Sequence, residues 1–106
     1  MTVVELHPNV VTRQAEPREK EIADLDIVSF CRSRSDLLDL AYALADHGHI
    51  YIGEVIKLNA YTVLDLADGR IRKVRDLERM LVHHGLHFDL ILQGWAPPQP
   101  LECILE

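Results

Sequence analysis

The stretch DLAYALADHG (residues 39–48) recurs 37 positions later as DLERMLVHHG (residues 76–85), and this repeat organises the predicted fold. Five positions are identical in register: an Asp-Leu pair at the start, a central leucine, and a His-Gly pair at the end. Apolar residues at helical spacing followed by glycine predict a helix that ends in a left-handed turn. An apolar run follows each copy, so the repeat predicts two helix-then-strand units.

Four apolar runs rich in β-branched and aromatic residues predict the strands around these helices. They are residues 26–31, 49–58, 61–66 and 87–93. Asp68-Gly69 predicts a tight turn, which places Ile71 on a short return strand. The order strand, helix, two strands, helix, strand is the βαββαβ plan of a ferredoxin-like α/β sandwich. That plan predicts a mostly antiparallel sheet with two helices on one face and an open second face.

Length and composition predict one globular domain, because 106 residues that are 48% hydrophobic suffice for a single core. We expect a flexible N-terminal arm at residues 1–24, the ferredoxin-like domain at 25–95 and a Pro-rich C-terminal tail at 96–106. A strand at residues 2–6 is the alternative for the arm. No segment approaches the roughly 18–20 apolar residues of a membrane span, and the start lacks signal-peptide features. A cytoplasmic protein without a membrane partner is expected.

Two segments resemble the ACT family of ligand-sensing domains. They are SDLL (residues 35–38) through ADHGHI (residues 45–50), continued by VLDLADGR (residues 63–70). In that family a strand leads into a helix ending in His-Gly or its like, followed by two strands and an Asp-Gly turn. The resemblance spans about residues 26–92 and implies a dimeric amino acid sensor. The loop RSRS (residues 32–35) stands where the family usually has a glycine, so no effector-binding residues are carried over.

The sequence predicts neither an enzyme nor a cofactor. Cys31, Ser33 and Ser35 are the conceivable nucleophiles, but no Gly-x-Ser-x-Gly motif, phosphate loop or paired-carboxylate spacing accompanies them. Six histidines suggest a metal site, yet His83 and His84 are adjacent and would point about 100° apart on a helix. No matching thiol or carboxylate spacing supports a metal. A metal- or cysteine-dependent enzyme is therefore the third hypothesis.

Binding residues are predicted in three places. Trp95 precedes a proline-rich segment and is an interface anchor or, equally, a lid on the domain end. Tyr51 and Tyr61 would form a pair on facing strands, for which cross-strand packing is the simpler explanation. A basic segment could hold phosphate, an acidic peptide or RNA, and a solvated face is its alternative. Its cations are Arg70, Arg72, Lys73, Arg75 and Arg79, of which we place the first four in the candidate site.

The leading functional prediction is a small regulatory or adaptor protein that acts by protein–protein binding. It would dock through the open sheet face, the Trp95 region or the termini. Another protein is the expected partner, and a second copy of this chain is one candidate. A net charge of −6 argues against a nucleic acid partner. An ACT-like amino acid sensor is the alternative function.

Overall fold

The computed structural model describes residues 10–98, and in that range the protein is mostly helical. The elements in chain order are β1 (Val11–Gln14), α1 (Pro17–Ala23), α2 (Ile27–Phe30), a 3₁₀ turn (Ser35–Leu37), α3 (Leu38–Asp46), α4 (Ile52–Val55), α5 (Ala60–Leu66), α6 (Ile71–His83) and β2 (Leu90–Gln93). The strands form a two-stranded parallel sheet. The predicted ferredoxin-like sandwich is therefore wrong, and these residues offer no broad antiparallel sheet whose open face could dock a partner.

The first predicted core strand is the short helix α2. Asp26 has an extended backbone after the turn that follows α1, and its carboxylate accepts a hydrogen bond from the Ser29 amide at 2.9 Å, which begins the helix. Ile27 and Cys31 are four residues apart, so one helical turn brings both into the core. The β-forming composition of residues 26–31 is overridden by this cap and this burial.

The second and third predicted strands are helices α4 and α5. Tyr51 makes only an isolated antiparallel bridge with Asp26, and α4 starts at the next residue. Asn59 is the N-cap of α5, where its side chain accepts from the Thr62 amide at 2.8 Å. Ile71 is the first residue of α6 rather than part of a return strand.

The sequence repeat corresponds to a repeated helix and cap. Helices α3 and α6 are both followed by a glycine with positive φ, +90° at Gly48 and +79° at Gly85. In each copy the residue after the glycine donates its amide hydrogen to the central leucine carbonyl, His49 to Leu44 and Leu86 to Leu81, both at 2.9 Å. The predicted helices are thus confirmed. The strand predicted after the second copy is observed as β2, whereas the helix α4 follows the first copy, so the strand prediction is wrong only there.

The small sheet joins the two ends of the described chain. In β1 and β2 the pairs run from Val11–Leu90 to Gln14–Gln93. Both β1 and α1 lie within residues 1–24, which the sequence assigns to a flexible arm. Residues 1–9 and 99–106 lie outside the described range, and so does the alternative strand at residues 2–6. Leu90 and Leu92 point inward and complete one core with the inner faces of the helices.

Candidate functional site: a cationic face on α6

A helix–turn–helix places the basic segment on the surface. Helix α5 ends at Leu66, and residues 67–70 turn the chain into α6. Asp68 and Gly69 both have positive φ, +57° and +77°, as the sequence predicts for this tight turn, although it joins helices rather than strands. The Gly69 amide donates to the Leu64 carbonyl at 2.9 Å and closes α5. The basic residues therefore begin at the N-terminal end of α6.

Helix α6 is strongly amphipathic, with Val74, Leu77 and Leu81 buried against the core. Arg72, Arg75 and Arg79 follow one another at i, i+3 and i+7 and form a row on the outer side, which we call the arginine stripe. Two apolar side chains flank it: Ile71 is 51% exposed and Val82 is 58% exposed. An open groove of about 330 Å³ runs along this face and is lined by Ile71, Arg72, Arg75, Asp76 and Arg79.

Two guanidinium groups of the stripe have no acid partner in residues 10–98. Arg72 and Arg75 take part in no ion pair or side-chain hydrogen bond there. Arg79 donates to Asp76 at 3.3 Å, a long contact within one helix, and its side chain remains 78% exposed. The Arg72 backbone amide, in the first turn of α6, also lacks a backbone acceptor among the described residues. The stripe thus presents unsatisfied donors and positive charge to solvent.

Two further cations at the start of α6, Arg70 just before the helix and Lys73 in its first turn, pair with one acid of α3. Arg70 donates to Asp39 at 2.8 Å, and Lys73 donates to both oxygens of the same carboxylate at 2.9 and 3.0 Å. The Lys73 ammonium also donates to the Asp36 carbonyl at 2.7 Å. The hydrogen bond from Lys73, with help from Arg70, holds the pKa of Asp39 below its usual range. These pairs tie α6 to the start of α3.

A further ion-pair cluster braces the loop before α3. Arg34 donates to Asp36 at 2.9 Å and to Asp76 at 3.0 Å, which links that loop to the middle of α6. The hydrogen bond from Arg34 lowers the pKa of Asp36. Asp76 is only 17% exposed, so its carboxylate is held between Arg34 and α6. This cluster is part of the scaffold, and it keeps the Asp76 carboxylate close to the stripe.

The structure separates the remaining predicted binding residues from the stripe. Tyr51 is half-buried at the start of α4 and Tyr61 is exposed on α5, so they do not face one another across strands. The Trp95 ring covers Gly53, and its Nε1–H donates to Asp24 at 2.8 Å. Lys57 lies 5.7 Å from the indole centroid. Trp95 therefore packs as a lid on the domain end, one of the two roles considered from the sequence.

The other chemical candidates are poorly placed for catalysis. Cys31 is buried, and burial raises the pKa of its thiol to about 11, so it is protonated at neutral pH. Residues 10–98 hold no group of three or more His, Cys, Asp or Glu side chains that could bind a metal ion. His83 and His84 border an open polar groove of about 480 Å³ beside α1, together with Glu16 and Glu19.

Comparison with known proteins gave no relatives. No family model, curated protein or solved structure matched the chain. No helix in the described part of the chain has the length and apolar character to cross a membrane.

Sequence reasoning missed two features of the site. Arg79 belongs to the predicted basic segment but not to the predicted candidate site, although its spacing from Arg72 and Arg75 places all three in one helical row. Asp39 stands out in the sequence only as part of the Asp-Leu pair of the repeat. Its contacts with Arg70 and Lys73 join parts of the chain more than 30 residues apart, and local spacing does not signal them.

Proposed function

We propose that this protein is a small non-enzymatic regulatory or adaptor protein that acts by protein–protein binding, with the arginine stripe as its docking surface. The observation that carries the proposal is the row of Arg72, Arg75 and Arg79 on one exposed helix face, two of them without an acid partner in the described residues. Exposed Ile71 and Val82 lie along the same helix. Arginine combined with apolar contact area is typical of interface centres, so an acidic, partly apolar segment is the partner that suits this face.

A nucleic acid backbone is the second candidate ligand. A helix–turn–helix is formed by α5, a four-residue turn that contains Gly69, and α6. Many DNA-binding proteins use this arrangement. The free amide of Arg72 and the stripe together offer the donors that phosphate oxygens accept. The net charge of −6 opposes this candidate at long range, whereas a local patch acts over about one Debye length of 8–10 Å.

The test is fluorescence anisotropy with two labelled probes, a 16-residue Glu- and Leu-containing peptide and a 16-bp duplex DNA. The test variant is Arg72→Glu/Arg75→Glu. The control is Arg18→Glu/Arg32→Glu, which makes the same change in net charge at two exposed arginines that lie outside α6. Each exposed ionic contact is worth about 0.2–1 kcal/mol, and reversal adds repulsion. We therefore expect the test variant to lose at least about tenfold in affinity.

The two probes and the control separate the outcomes. Stronger binding of the peptide supports the adaptor function, and stronger binding of the duplex supports the second candidate. Sedimentation equilibrium of the native protein and the test variant tests a second copy of this acidic chain as the partner, because self-association through the stripe should weaken in the variant. Equal affinities for the test and control variants would show that the stripe is not the docking surface.

A further inference from the structure

The exposed side of α6 carries an apolar side chain at each end of the arginine stripe. Ile71 is 51% exposed and Val82 is 58% exposed, and the two are eleven residues apart. Eleven residues make about three turns of an α-helix, so both side chains lie on the same side of α6, about 16.5 Å apart along its axis. Arg75 lies between them on that side, four residues after Ile71 and seven before Val82.

Arg72 and Arg79 form a second row beside this one. They are seven residues apart, close to two helical turns, and both are exposed. The two rows meet in the open groove, which Ile71 lines together with the stripe. Side chains at spacings of four, seven and eleven residues are the ones through which one helix contacts another. The surface thus has the pattern of a helix-binding face.

A helix fits this surface better than an extended segment does. The backbone groups in the middle of α6 are paired within the helix, so this face offers an incoming strand no amide or carbonyl to pair with. A helix satisfies its own backbone hydrogen bonds, and it can present apolar residues at the spacing of Ile71 and Val82. A phosphate backbone would contact the arginines but would leave both apolar side chains without a contact.

We infer that the partner contacts the arginine stripe through an acidic amphipathic α-helix that lies along α6. The inference rests on the proposed function and names the structural class of its partner. Two apolar residues of the partner, eleven apart, contact Ile71 and Val82, and carboxylates on the same side of the partner pair with the arginines. Glu78 is partly exposed between Arg75 and Val82, so the partner needs a neutral or basic residue opposite it.

The test measures the binding of three labelled, alanine-based 18-residue peptides by fluorescence anisotropy. The first peptide has leucines at positions 4 and 15 and glutamates at positions 5, 8 and 12, all of which a helix places on one side. The second has its glutamates at positions 6, 9 and 13, on the opposite side, and keeps the same composition and charge. The third is the first peptide with proline at position 10, which breaks the helix.

The protein variants remove the apolar ends of the surface and leave every charge in place. The test variant is Ile71→Ser/Val82→Ser. The control is Ile50→Ser/Val10→Ser, because these side chains are 43% and 47% exposed and lie outside α6. Circular dichroism melts verify that both variants are folded.

We expect the native protein and the control variant to bind the first peptide about tenfold more tightly than the second or the third. The test variant should bind the first peptide about tenfold more weakly than the native protein does. Covering the exposed halves of two aliphatic side chains provides about this factor.

The outcomes distinguish this inference from the proposed function. Equal binding of all three peptides, lost in Arg72→Glu/Arg75→Glu, would uphold the stripe as a docking surface and overturn the helix, because charge alone would then account for the affinity. Binding of the proline peptide as tightly as the first would also overturn the helix, and so would native affinity of the test variant for the first peptide. Binding of none of the peptides would overturn the inference and the adaptor function together, and duplex binding would then support the nucleic acid candidate.

Discussion

Trp95→Ala is expected to lower the free energy of unfolding by about 2.5–5 kcal/mol. The indole packs on Gly53 and on the edge of the core. Replacing a fully buried aromatic side chain by alanine costs about 3–5 kcal/mol, and for the half-buried Trp95 we take about half of that cost. Its hydrogen bond to Asp24 at 2.8 Å adds about 0.5–1.5 kcal/mol. Lys57 lies 5.7 Å from the ring centroid and adds about 0.5–1 kcal/mol.

Urea unfolding followed by far-ultraviolet circular dichroism measures this loss. Trp95 is the single tryptophan of the chain, so fluorescence cannot follow the variant. Tyr61→Ala is the control, because that aromatic ring is exposed on α5 and its removal should cost less than about 0.5 kcal/mol. If Trp95→Ala cost no more than this control, the lid would not stabilise the domain, and the interface-anchor role would become the better account.

Gly53→Ala tests the same contact while keeping the tryptophan. A Cβ at Gly53 would lie 2.5 Å from the nearest indole carbon, which is closer than packed atoms approach, so the ring must move away. The backbone there is helical, and alanine suits it better than glycine by about 0.5–1 kcal/mol. We expect a red shift of the emission spectrum caused by solvent exposure of Trp95. An unchanged spectrum would mean that the ring is not seated on Gly53.

Three further predictions concern the scaffold. Asn59→Ala removes the N-cap of α5 and should cost about 1 kcal/mol in urea unfolding, whereas Asn59→Asp should cost little; equal losses would deny the cap. Gly85→Ala places a side chain on a residue whose φ is +79°, so it should lower the free energy of unfolding by about 1–2 kcal/mol. An unchanged urea midpoint would contradict this prediction. The hydrogen bond from Ser29 lowers the pKa of Asp26, so this group binds more protons in the unfolded state. The stability that Asp26 contributes is fully present above the ordinary pKa of about 4 and is lost as the pH falls through the lowered pKa. Asp26→Asn should therefore flatten the dependence of the unfolding free energy on pH between about pH 5 and 2. Parallel pH profiles of the variant and the native protein would refute this.

The helices around the repeat could be predicted because their signals are local. Apolar residues at helical spacing and a glycine end are sufficient to locate α3 and α6, and the caps after both helices share the same hydrogen bonds. Residues 26–31 gave the wrong result because a four-residue helix is too short to show a period. Tertiary packing decides such segments, since a short apolar run can be buried either as a strand or as a helical turn.

The sheet and the ion pairs of Asp39 depend on contacts that the sequence does not display. Strand β1 pairs with β2 across more than 70 residues, so neither alternation nor turn residues nearby could reveal the parallel partner. The stripe is different, because Arg72, Arg75 and Arg79 show helical spacing in the sequence itself. Helix α6 begins at Ile71, so all three arginines lie on it. The contacts of Asp39 with Arg70 and Lys73 could be found only from the fold.

The repeat also bears on which half of the protein would carry the proposed binding function. Positions shared by the two copies build the helix and its cap, so they account for structure and leave function to positions that differ. Subtracting 37 from the three stripe positions gives Ser35, Leu38 and Tyr42, none of which is basic. The shared pair Asp39 and Asp76 makes ion pairs that join α6 to the segment around the start of α3. We therefore expect the second copy, and not the first, to contact the proposed partner.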